Sequence, residues 1–222
     1  MPNRHQYGFR WAWSYNGNTM PSPEVFMVAS GQNDVDDAAA AININVGDPV
    51  ARVNTGGVIV ATTGVDPYGI VVGINQYWDG TNLRKGKFLP HATLWASEPL
   101  RSEVLVIPVR AGYWECDCDD GVTATTPATY RALKHSNVAH VCPGNTVQAT
   151  ANPMLDISTT NVTNTLEWRI VDVSRTMENQ DFATLTTVGT PAITSAFVKL
   201  IVRSNVSTEA GEVASGGAVA GL

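Results

Sequence analysis

Tyr7, Phe9, Trp11, Trp13 and Tyr15 occupy every second position over nine residues near the start of the chain. A period of two is the period of a strand, so this stretch is expected to present one aromatic face. Asn16-Gly17-Asn18 supplies a turn, and Pro21-Ser22-Pro23 resists regular structure before a second strand over 24–29. A short alanine run, Ala38 to Ala41, follows a polar loop and suits one helical turn capped by Asp36 or Asp37. From Ile42 the pattern is firmly β. Ile44 to Val53 reads as strand, turn, strand, and Asn54-Thr55-Gly56-Gly57 turns the chain into Val58-Ile59-Val60-Ala61. Ile70-Val71-Val72-Gly73-Ile74 is a continuous apolar run, hence a buried strand.

Further along, Val104–Val109 and Ala111–Cys118 are expected strands, with Pro108 and Gly112 marking an edge or bulge between them. Residues 119–153, rich in Thr, Ala, Asn and Gly, carry little alternation, and Pro127–His135 suits a short helix with Pro in its first turn. Leu166–Val173 and Ala196–Arg203 alternate well again. No βαβ rhythm appears. The expectation is therefore an all-β chain, mainly an antiparallel sandwich or barrel of jelly-roll type. An aromatic N-terminal strand or arm occupies 1–30, and a body fills 31–203 with a subdomain break near 119–153. A flexible tail of Ser, Gly, Ala and Glu covers 204–222.

Composition narrows what such a chain does. Its 222 residues suffice to bury a core without disulfides. Only 15% are charged against 44% hydrophobic, which suits a subunit whose surface is partly covered by contacts. The net charge of −6 gives no basic footprint for nucleic acid. The densest cationic cluster, Arg84-Lys85-Gly86-Lys87, reads as a turn with solvated charges. Neither a Sec-type signal nor a membrane-length apolar run is visible. Three cysteines, an odd number, suit free thiols in a reducing compartment.

The familiar catalytic and cofactor signatures are missing: no G-x-S-x-G elbow, phosphate-binding glycine loop or H-E-x-x-H is present. Cys116, Cys118, His135, His140 and Cys142 hold thiolates and imidazoles suited to zinc, but C-x-C is not the zinc-knuckle spacing. Asp117, Asp119 and Asp120 before Gly121 miss the calcium-loop spacing. No metal, no cofactor and no catalytic residue is expected. The chain reads as a non-enzyme that packs against other proteins.

Gly47-Asp48-Pro49-Val50, followed by Gly69-Ile70-Val71-Val72-Gly73, resembles the G-D-x-V hairpin and Gly-flanked strand of the capsid decoration, or cement, proteins of tailed bacteriophages. The likeness covers about thirty residues, and the aromatic N-terminus has no counterpart in it. It implies a virion structural protein, often a homotrimer, made in the host cytoplasm and bound to the major capsid protein on the outer head surface. No membrane or nucleic-acid partner is implied. Tyr7, Phe9, Trp11, Trp13 and Tyr15 are the candidate interface, as an arm reaching a neighbour or as a core strand. Two other classes stand beside this reading. One is a tail-fibre or carbohydrate-binding module, which would use Trp78, Trp95, Trp114 or Trp168. The other is a hydrolase with an unrecognised site.

Overall fold

The computed structural model describes residues 8–15, 17, 19–29, 44–53, 57–78, 81–86, 88–89, 102–119, 132–141, 153–161, 166–174 and 198–205. The alanine run, most of the expected helix at 127–135, and all of the tail beyond 205 lie outside them. Two large sheets and a two-stranded ladder carry the described chain, and every strand pair in them is antiparallel. The first sheet contains β1 (Arg10–Ser14), β10 (Gly112–Asp117), β11 (Asn137–Val141), β12 (Met154–Asn161), β13 (Trp168–Val173) and β14 (Lys199–Ser204). Their spatial order is β1-β10-β14-β13-β11-β12. The second contains β2 (Glu24–Met27), β4 (Pro49–Arg52), β5 (Val58–Val60), β6 (Gly69–Trp78) and β9 (Glu103–Pro108), in the order β2-β9-β6-β4-β5. β7 (Leu83–Gly86) hangs on β6, while β3 (Ile44–Asn45) pairs with β8 (Phe88–Leu89). The all-β architecture is the one the alternation called for.

Each sheet curls until two strands far apart in its order meet. Five strands alternating in direction must meet at a parallel seam when they close, because the first and fifth run the same way. Both seams are present. Cys118 bridges Leu155 in parallel, joining the end of β10 to β12, and Val28 bridges Val58, joining the end of β2 to β5. Asp119 N–H donates to Leu155 O at 2.8 Å and Ala29 N–H to Val58 O at 2.9 Å. The described strands thus form two small, partly closed barrels, with β1 laid outside the first seam.

β9, a 3-10 turn at Val109–Ala111, and β10 form one nearly continuous run that belongs to both barrels in succession. The Trp114 indole N–H in β10 donates to Val109 O at 2.9 Å and pins that turn. The cores follow the same division. Trp114, Trp168, Leu155, Ile170 and Leu200 fill the first barrel, and Val28, Ile44, Val50, Leu89 and Val106 fill the second. Ile70 and Ile107, from strands of the second barrel, pack into the first core and join the two.

The glycine-aspartate pattern has a structural explanation. Asn45 N–H donates to Asp48 Oδ2 at 2.7 Å while Asp48 N–H donates to Asn45 O at 3.1 Å, closing a tight turn from both sides. Gly47, at φ 101°, takes the left-handed conformation that this turn requires. The two halves of the pattern then bind each other: Gly47 N–H donates to Val71 O, and Val71 N–H to Asp48 O. A Cβ at Gly69 would sit 2.7 Å from Ile107 O, so only glycine lets β6 and β9 approach there.

Cys116 and Cys118 both lie in the first barrel's core, 1% and 0% exposed. A buried thiol in apolar surroundings reacts only when the structure opens. In native buffer, peptide mapping after thiol labelling should find both unmodified, and denaturant should make both react. Rapid labelling of either in the native chain would contradict the barrel.

Candidate functional site

The N-terminal stripe does not keep one face. β1 pairs Arg10 with Glu115 and Trp11 with Trp114, then Trp13 with Tyr113, so one residue, Ala12, is left over as a bulge. A one-residue slip moves all later side chains to the opposite face of a strand. Accordingly Phe9 and Trp11 turn toward the core. Phe9 is 2% exposed and stacks on Trp168 with ring centroids 4.3 Å apart, while Trp11 meets Trp114 edge-on at 5.4 Å. Trp13 and Tyr15 turn outward, 38% and 47% exposed, and both lean on Tyr113. Burial against this cluster raises the Tyr15 phenol above its usual pKa, with Arg203 opposing and Tyr113 adding to the rise. Tyr7 lies outside the described residues. Strict alternation carries no sign of the bulge; the fold imposes it, and a Cβ at Gly112 would run into the Trp13 carbonyl oxygen.

Beside β1 on this outer face runs a groove of about 670 Å³. Arg10, Ala12, Trp13, Glu115, Asp172 and Ser174 are among its walls. Arg10 is paired with Glu115, and Ser174 Oγ donates to the other carboxylate oxygen of the same residue. Asp172 is paired with Lys134 at 2.6 Å.

A second exposed surface lies on the other barrel. β2 pairs Val25 with Leu105 and Met27 with Glu103, placing these side chains on the outer face of the sheet. Val25 is 56% and Met27 44% exposed, and Met20 is exposed just upstream. Hydrophobicity alone did not separate these positions from Phe26, which packs inward against the second core.

Among the described residues the candidate metal ligands are not gathered into one site. His135 sits in an exposed turn, Cys116 and Cys118 are core, and Cys142 and Asp120 lie outside the described residues. Among the described residues no three His, Cys, Asp or Glu side chains come together as ligands. His140 is instead a strut between the barrels. Its Nε2 lies 2.8 Å from Ala61 O, and a carbonyl only accepts, so Nε2 carries the proton. Nδ1 then accepts from the Trp168 indole N–H at 3.3 Å. Glu167 Oε1 accepts from Gly64 N–H at 2.6 Å, while Oε2 lies 3.7 Å from His140 Nδ1 and has no hydrogen-bond partner among the described residues. Both side chains are buried, which closes this histidine and glutamate to a substrate. Nearby Asp66 has its carboxyl pKa raised by burial and by the Glu167 carboxylate.

Two of the tryptophans considered for sugar stacking, Trp114 and Trp168, are fully buried and so cannot serve. Trp95 and the Trp78 side chain lie outside what is described. Arg84 and Lys85, read as a turn, form the exposed strand β7. Comparison with protein-family models, curated proteins and solved structures finds no match to the chain.

Proposed function

We propose that the chain is a structural subunit that decorates the head of a tailed bacteriophage, docking on the major capsid protein through the exposed apolar face of β2. The observation that carries this reading is the outward pair Val25 and Met27 beside Leu105, apolar side chains held in water on a sheet face. An apolar patch on a rigid sheet gains free energy when a partner covers it. The resemblance of Gly47–Val50 and Gly69–Gly73 to decoration proteins supplies the class of partner. Linked contacts on a repeating lattice then add through effective concentration.

The test is cosedimentation with heads of the phage that encodes the chain, assembled without it. Replacing Val25 and Met27 together by aspartate should abolish binding while leaving the thermal melt within about 2 °C of the parent, because both positions are solvent-facing. Undiminished binding by the double variant would refute docking through β2. The same reading expects a homotrimer, with a solution mass three times the 23.7 kDa of one chain.

A further inference from the structure

We propose that the groove beside β1 is a binding site for a neutral oligosaccharide, with Trp13 as its stacking platform. The argument rests on what lines the groove. Its volume, about 670 Å³, falls in the range of roughly 300–1,000 Å³ usual for small-ligand sites. Trp13 offers an exposed indole whose tilt is fixed by Tyr113, at 5.4 Å between ring centroids and 40° between planes. Tyr15 braces the same Tyr113 ring from another side, at 4.8 Å and 77°. A platform already held in place loses little entropy when a ligand covers it. An aromatic face takes the C–H face of a pyranose, and the polar rim takes its hydroxyls.

Charge selects among occupants. Arg10 is paired with Glu115 within the lining, and Asp172 with Lys134 from outside it, so the groove offers donors and acceptors whose charges are already paired. A polyanion would meet Glu115 and Asp172, and a polycation would meet Arg10. A wholly apolar occupant would strip water from all of these groups without replacing its hydrogen bonds. Hydroxyls, which both donate and accept, satisfy such a mixed wall. The tethering of Glu115 by Arg10 and Ser174 fixes acceptor positions before a ligand arrives. The site uses residues distinct from the β2 face and stands independently of capsid docking.

The experiment titrates the full chain with cellohexaose, maltohexaose, laminarihexaose and mannohexaose, each at millimolar concentration. Isothermal titration and the Trp13 indole proton resonance report binding. At least one sugar should bind with saturable shifts confined to Trp13, Arg10, Glu115 and Ser174. Trp13→Ala should weaken that sugar by roughly tenfold or more, as for other central aromatic anchors, while Trp13→Tyr keeps most of the affinity. The Val25 and Met27 aspartate variant should bind the sugar normally, which separates failure of this site from failure of docking. Silence of the Trp13 resonance toward all four sugars would overturn the proposal, as would unchanged affinity in Trp13→Ala. A polypeptide that occupies the groove in competition with none of the sugars would overturn it too.

Discussion

Replacing Trp168 by alanine is expected to cost about 3–5 kcal/mol, the range for a large aromatic removed from a packed core. For a chain of 222 residues this lowers the melting midpoint by roughly 6–20 °C. Three losses combine at this one residue. Trp168 is fully buried among the first barrel's strands, so its removal leaves a cavity. Its ring is the surface on which Phe9 stacks, so the residue that leads into β1 loses its seat. Its indole N–H is the donor to His140 Nδ1, so the strut to Ala61 loses its orientation. Trp168→Phe keeps the stack and most of the volume while deleting only that donor, and should fall between parent and alanine. Thermal denaturation followed by circular dichroism measures all three proteins. A Trp168→Ala midpoint within about 2 °C of the parent would mean the core is not organised around this ring.

The second large effect is on pH. Asp48 is wholly buried, and burial pushes its carboxyl from 3.8 up to about 7, against the hydrogen bond from Asn45 N–H that favours the ionised form. A raised native pKa means that the folded chain holds this proton more tightly than the unfolded one. The stability linked to that proton is complete below about pH 4 and is lost as pH rises through about 7. Carrying the carboxyl from 3.8 to about 7 corresponds to roughly 4 kcal/mol at most. Asp48→Asn keeps an oxygen to accept from Asn45 N–H and cannot ionise. Its advantage over the parent should therefore be small at pH 4 and grow to a few kcal/mol by pH 8. Urea denaturation at pH 4, 6 and 8 reads the difference, in which Asp66 and all other titrating groups cancel. Parallel curves for the two proteins would show that Asp48 ionises without penalty.

Much of the fold was legible because most strands have one apolar face and one wet face. The segments expected at 24–29, 58–61, 104–109, 111–118, 166–173 and 196–203 each hold an observed strand within a few residues of those bounds. β11 and β12 escaped notice because they bury few large side chains. β12 places only Leu155 and Ile157 in the core and otherwise consists of Met, Asp, Ser, Thr and Asn. Their place in the sheet is set by neighbours far away in sequence, a tertiary effect that local pattern does not contain. The aromatic stripe was legible as a strand but not in its division. Trp11 and Trp13 look equivalent in sequence, and only the register against β10 sends one inward and the other out. The polar strut was invisible for a similar reason: His140 and Glu167 meet the 61–64 loop across 79 and 103 residues of chain.

The run from β9 through the short turn into β10 also sets how the molecule bears force. β9 is held on both sides by β2 and β6, and β10 on both sides by β1 and β14. Tension applied between the two barrels passes along one covalent rod whose halves are each clamped by flanking ladders. To draw either half out, the load must shear the ladders on both sides of a six-residue strand together rather than peel them open in turn. The two barrels therefore behave as rivets on a common pin, stiff to stretching along it.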